Sequence, residues 1–321
     1  MIARLFGRID LMIRLLVVAM ALAFLVPAAG EARETAQFVS NGAIFVLFLL
    51  NGLRIDRRDV LRGLANSRFL VTLTAWVFGA MALAGWAIAT AAGPWLAPEV
   101  ALGFVFLGVL PSTVQSATSY TSLASGNVAL AVIAAAVLNI LGVLISAPLF
   151  ALIAGSNQVS LGWDVIGRIM LILVLPFAIG QATQGWLRRW VVDQKARIVW
   201  IDRFVIALAV YVAFSGAVEQ DVWQRLGASD WVAILGALAI MLSFGHFGAW
   251  LTGGLARLPL PDRIAFLFSG AQKSVAIGVP LGAILFEPGV AGLVLVPLLL
   301  YHLIQLVIAA PIATRLTRLR G

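Results

Sequence analysis

The sequence predicts an all-α protein that crosses a membrane ten times, and three observations carry that expectation. The 321 residues are 62% hydrophobic and only 11% charged, with a mean hydropathy of +1.04. Soluble domains carry about 25% charged residues, so this balance belongs to a chain that is mostly surrounded by lipid. Long apolar runs recur along the whole chain, bounded by charge or by Gly and Pro. The basic residues fall almost entirely into alternate connections between those runs.

Taken in order, the runs are 11–29, 37–53, 69–91, 100–125, 128–154, 164–186, 201–218, 231–252, 262–287 and 289–314. Each can cross a hydrocarbon layer as helix at about 1.5 Å per residue. The first has a rival reading as a secretory signal, because Arg4 and Arg8 precede an apolar stretch that ends Val26-Pro27-Ala28-Ala29. Arg14 interrupts that stretch, and removing it would spoil the repeat described below, so it is taken as a span. With the N-terminus inside, 18 of the 22 Lys and Arg lie in cytoplasmic segments, among them Arg54, Arg58, Arg197 and Arg315, and only Arg33, Arg168 and Arg225 lie outside. The expected localisation is a cell inner membrane, with both termini cytoplasmic. Trp95, Trp163, Trp223 and Trp231 read as anchors at the membrane surface.

The chain reads as one transmembrane domain built from two repeats, about 1–155 and 160–321. Gly126 to Pro148 and Gly289 to Pro311 both span 22 residues, and Asn139 and His302 share an offset of 13 from the leading Gly. Asn51-Gly52 stands 74 residues before the first Gly, and Ser215-Gly216 stands 73 before the second. Five spans per unit is an odd number, so the halves would have opposite topology.

Two spans carry residues that lipid would reject. Arg263 and Glu287 flank the ninth, and Lys273 lies ten residues from the first and fourteen from the second, near the midplane. Around it run Ser269-Gly270-Ala271-Gln272-Lys273-Ser274. An ammonium at that depth costs at least about 2.5 kcal/mol, so it needs a partner, water or a role. Snorkelling to the surface is the simpler alternative. The fourth span carries Pro111-Ser112-Thr113-Val114-Gln115-Ser116-Ala117-Thr118-Ser119. Pro111 removes a backbone donor, and freed backbone groups are tolerable only where protein or water meets them. The spacing predicts that 111–119 and 269–275 are interrupted helices that cross. Half-helix N-termini attract anions and C-termini attract cations, the arrangement of a transporter binding site. Hydroxyls that merely pack helices together would explain the Ser and Thr, but not Gln115, Gln272 and Lys273 as well.

The expected substrate and ion site is therefore Gln115, Ser116, Thr118, Ser119, Gln272, Lys273 and Ser274, with Asn139 and His302 as a second tier. If Lys273 replaces a bound cation, it is expected within reach of Gln115 or the hydroxyls at 116–119. No Cys is present, which rules out disulfides and thiolate metal sites. No nucleophile–base pair or metal cluster stands out, so an enzyme is not expected. The net charge of +8 is dispersed over short loops and is no nucleic-acid signature.

The residues Leu110-Pro111-Ser112-Thr113-Val114-Gln115-Ser116, Gly126-Asn127-Val128-Ala129-Leu130, Gln272-Lys273-Ser274 and Phe48-Leu49-Leu50-Asn51-Gly52-Leu53 resemble the bile acid:sodium symporter family, solute carrier family 10, in its bacterial branch. The resemblance covers essentially the whole chain. It implies two inverted five-helix repeats, a core domain in which broken helices four and nine cross, and a panel domain with spans one, two, six and seven. It further implies Na⁺ symport. At two positions the chain departs from the family: Ser116-Ala117-Thr118 stand where sodium-binding members carry a Ser-Asn pair, and Phe268 stands where they carry Glu.

The function expected is secondary active transport of a small organic anion by alternating access. One alternative is proton coupling, with Lys273 in place of the sodium ion; another is a non-transporting membrane regulator. Na⁺ is the one cofactor in question, and the expected partners are the organic anion and membrane lipid, with the protein a monomer or homodimer.

Overall fold

The computed structural model describes residues 11–55, 66–155, 163–221, 224 and 226–318, and among them it contains helices and turns but no strand. Arg4, Arg8, Arg57, Arg58, Arg62, Trp223, Arg225 and Arg320 lie outside the described residues. Each apolar run becomes helix, and two runs are split. The helices are α1 (Leu11–Leu25), α2 (Gly30–Arg54), α3 (Ser67–Trp95), α4 (Pro98–Val109), α5 (Val114–Leu123), α6 (Val128–Ala154), α7 (163–193), α8 (Lys195–Glu219), α9 (Ala228–Leu255), α10 (Leu260–Ala271), α11 (Val275–Leu285) and α12 (Pro288–Arg318). Three carry a wider π turn: Trp76–Ala80 in α3, Met170–Val174 in α7 and Phe244–Gly248 in α9.

Among the described residues, eight helical stretches are long and apolar enough to cross a bilayer, counting α10 with α11 as one. The pair α4 and α5, bent by 61°, makes a ninth. The first apolar run is the one that falls short of expectation. Its helix ends at Leu25, four residues short of the end of the run at 29, with Pro27 among the residues that separate it from α2.

The chain divides into two compact units. The first comprises Met1–Arg54, Leu161–Arg225 and Val279–Leu295, and so holds α1, α2, α7 and α8 together with most of α11 and the start of α12. Within it α2 and α7 touch backbone to backbone. A Cβ on Gly52 would stand 2.3 Å from the Phe177 carbonyl, and one on Gly180 would stand 2.2 Å from that of Leu49. Side-chain amides complete the crossing, as Gln181 donates to the Gly52 carbonyl at 2.6 Å and Gln184 to that of Leu53 at 3.1 Å. Arg54 pairs with Asp202 and also donates to Asn51 at 3.1 Å. Asn51-Gly52 thus serves close helix packing and an ion-pair anchor. At the far end of α8, Glu219 pairs with Arg33.

The second unit comprises Ile55–Ser160, Leu226–Gly278 and Val296–Gly321. It holds α3 to α6, α9, α10, the first residues of α11 and most of α12. The Gly126-Asn127 motif is a junction here. The Asn127 side chain caps α6 by accepting from Leu130 N–H at 3.1 Å and donates to Asp262 at 2.8 Å, while its backbone N–H donates to the Pro261 carbonyl at 2.9 Å. A Cβ on Gly126 would meet Ile264 at 2.5 Å, so this turn tolerates no side chain.

Candidate functional site

The site lies within the second unit, where the two split spans interrupt one another. α4 stops at Val109 because Pro111 has no N–H to continue the ladder. Its ring seats in a notch of α6, where a Cβ on Gly142 would stand 2.4 Å from Pro111 Cγ. The break covers only 110–113, shorter than the 111–119 expected. Helix resumes at Val114, and Gln115 to Ser119 are helical. Thr118 returns its hydroxyl to the Val114 carbonyl at 2.8 Å, so the polar density there decorates a helix without unwinding it. The second break is likewise short, covering 272–274 inside the expected 269–275.

Interrupted helices leave carbonyls and N–H groups that must be met in the interior. At the first break, Val109 O accepts from Ser146 at 2.9 Å, Gly108 O and Leu110 O each accept from Lys273 Nζ at 2.8 Å, and Pro111 O accepts from Ser274 N–H at 3.0 Å. At the second, Gly270 O accepts from Trp76 Nε1 at 3.2 Å and Ala271 O from the Tyr301 hydroxyl at 2.7 Å. Gln305 then braces Lys273 itself: its Oε1 accepts from Lys273 N–H at 2.8 Å, and its Nε2 donates to Lys273 O at 3.1 Å. Ser274 caps α11 by accepting from Ile277 N–H at 3.3 Å. Each break supplies partners to the other.

Of the residues expected at the site, Ser116, Gln272, Lys273 and Ser274 come together. The Ser116 hydroxyl donates to Gln272 Oε1 at 2.8 Å, with Gln272 fully buried. The remaining donor of that amide, Nε2, has no partner among the described residues, and neither do the buried hydroxyls of Ser112, Thr121 and Ser269. Gln115 and Ser119 lie outside this cluster, exposed one turn apart on the open face of α5 with Ser122, while Thr118 is half-buried. In the second tier, His302 Nδ1 stands 2.9 Å from Gln305 Nε2, and Asn139 Oδ1 on α6 has no partner among the described residues.

Lys273 corrects the expectation that it would reach Gln115 or the hydroxyls at 116–119. Its side chain is fully buried and runs to the carbonyls of Gly108, Leu110 and, at 3.4 Å, Val77. The direction has a physical reason. The end of α4 carries the partial negative charge of its unmet carbonyls, whereas the start of α5 is the positive end and repels an ammonium. With its tip on interior carbonyls, Lys273 does not snorkel.

The Na⁺ implied by the resemblance is a poor match for these residues. Phe268, at the position of the family's Glu, is fully buried, and its ring lies against Tyr120 with centroids 5.8 Å apart. Ser116 directs its hydroxyl proton at Gln272 Oε1, so that amide oxygen is already engaged.

Sequence reasoning missed Gln305, Tyr301 and Trp76. Gln305 had a signal of its own, an amide well inside the apolar run 289–314. The other two are aromatic residues among many, and nothing in their sequence context marks them as backbone partners.

Comparison with known proteins agrees with the resemblance. The model of the SBF-like CPA transporter family matches residues 10–318. "Uncharacterized protein PA2026" of Pseudomonas aeruginosa is 36% identical over 309 residues, 95% of this chain and 92% of the relative. "Putative symporter YfeH" of Escherichia coli K12 is 31% identical over 315 residues, 98% of this chain and 95% of the relative. "Sodium/bile acid cotransporter 7" of Mus musculus is 23% identical over 279 residues, 85% and 81% of the two chains. The chain belongs to the SBF-like CPA transporter family and is a multi-pass membrane transporter, not an enzyme.

Proposed function

We propose that this protein is a secondary active transporter that carries a small organic anion across the cell inner membrane by alternating access. One observation carries the reading: two spans break at the same place and meet each other's freed backbone groups. Irregular backbone in an apolar chain is tolerated where it is buried in protein or lines a ligand cavity, and paired interruptions mark binding sites in secondary transporters. The N-terminus of α5 offers a positive dipole end, Gln272 Nε2 an unused donor, and Gln115 and Ser119 an exposed polar face. These groups suit a carboxylate or a similarly charged solute. The division into two compact units, one with α1, α2, α7 and α8 and the other with both breaks, supports the separate panel and core that alternating access needs. In this reading the chain makes ten crossings as two inverted repeats, with both termini cytoplasmic.

The test is uptake by purified protein in liposomes, screened over small organic anions under an imposed Na⁺ gradient and, separately, a pH gradient. Accumulation driven by either gradient is the expected result, and the productive gradient names the coupling ion. Binding of anions with no accumulation under any gradient would instead favour a non-transporting regulator.

A further inference from the structure

Among the described residues, the Lys273 ammonium has no carboxylate partner, only carbonyls. Its three acceptors come from two separate irregularities. Gly108 O and Leu110 O sit at the end of α4, where Pro111 stops the ladder, and Val77 O lies in the π turn Trp76–Ala80 of α3. A π turn widens the helix locally and is often associated with function. A helix C-terminus adds the attraction of its dipole for a cation. Converging carbonyl oxygens are also how proteins replace the hydration shell of a monovalent ion. An ammonium is a compact point charge with three donors, so it matches three such oxygens.

We propose that the carbonyls of Val77, Gly108 and Leu110 form a monovalent-cation site that the chain occupies with its own Lys273 ammonium. The position therefore takes no free Na⁺ in the native protein, and it accepts a free monovalent cation once the side chain is removed. The crossing thereby keeps a positive charge fixed to the chain, and Phe268, not a carboxylate, stands four residues before Gln272. The charge is tethered, so the carboxylate that would hold a mobile ion is dispensable. The inference deepens the transporter reading, since the crossing is the site in both. Its test reads stability, so a failure to find transport leaves it standing or falling by itself.

The experiment measures the thermal unfolding midpoint of the purified full-length protein in choline chloride, then with NaCl, KCl or methylammonium chloride added. Wild type is expected to give the same midpoint in all four salts. Lys273→Ala is expected to lose several degrees in choline and to recover most of the loss, saturably, with methylammonium or with one of the small cations. Lys273→Met, whose neutral side chain refills the space, should lose stability that no cation restores. Three results would overturn the proposal: a Lys273→Ala midpoint indifferent to every cation, a Lys273→Ala protein that cannot be recovered folded even when prepared in methylammonium, or a Lys273→Met midpoint that cations restore as fully as that of Lys273→Ala.

Discussion

Gln305 illustrates how a single buried side chain can hold an interruption open. Both ends of its amide are used on one residue, the N–H and C=O of Lys273, and Nε2 also faces His302. Replacing it by Leu preserves approximate volume but strands two buried backbone groups, each worth about 1–3 kcal/mol when unmet. Gln305→Leu should therefore destabilise the protein by roughly 2–6 kcal/mol, read as a lower unfolding midpoint. A midpoint within a degree or so of wild type would mean that the break does not depend on this brace. At this scale the sequence was legible wherever polarity stood out against lipid: Gln272, Lys273, Ser116 and Ser274 were all visible as residues that needed a reason. Their partners were not. Whether Lys273 turns toward α5 or toward the end of α4 depends on which helix end each break presents, and no spacing in the sequence encodes that. Gln305 was equally visible, but the repeat offset drew attention to His302, three residues away on the same helix face.

At the scale of the element, the decisive feature is that α4 and α5 are two helices and not one. Pro111 enforces this twice, by lacking an N–H and by placing its ring against Gly142. Pro111→Ala restores the donor that Leu107 O would use in a continuous ladder and empties the notch. A helix that continued through 110–113 would turn the Gly108 and Leu110 carbonyls back into the ladder and away from Lys273. The variant is expected to fold and reach the membrane but to lose at least about 90% of ion-driven uptake, as misplacement of a binding constellation commonly costs 10²-fold. Wild-type uptake by Pro111→Ala would show that the tertiary contacts alone maintain the break. The sequence marked this break because proline in an apolar run has few uses, but it overstated its length. The density of Ser, Thr and Gln suggests an unwound chain, whereas Thr118 shows that a hydroxyl can return to its own helix and leave it intact.

At the scale of the whole molecule, the alternation of basic connections is what assigns direction to a stack of apolar helices. Helical, membrane-spanning architecture followed from the long unbroken apolar runs, because such runs satisfy their backbone in lipid as helices, whereas barrel strands are short and alternate polar with apolar residues. The ends of the elements were less legible: α1 stops at Leu25, and α2 begins at Gly30, seven residues before the apolar run that announced it, since Glu31, Arg33 and Glu34 are polar yet helical. The 18 basic residues assigned to the cytoplasmic side against three on the other predict both termini inside. The absence of Cys makes the native chain a clean background for labelling. Single Cys substitutions at Arg58, Arg197, Asp221 and Glu287 sample four connections, the first preceding α3, the second beside the start of α8, the third following α8 and the fourth between α11 and α12. An impermeant thiol reagent applied to intact cells should modify positions 221 and 287 and leave 58 and 197 unlabelled until the membrane is opened. The pair 197 and 221 is the sharpest comparison, because α8 alone separates them and one crossing must place them on opposite faces. Labelling of both from outside would remove α8 as a span, and labelling of 58 from outside would invert the first half and end the inverted-repeat reading.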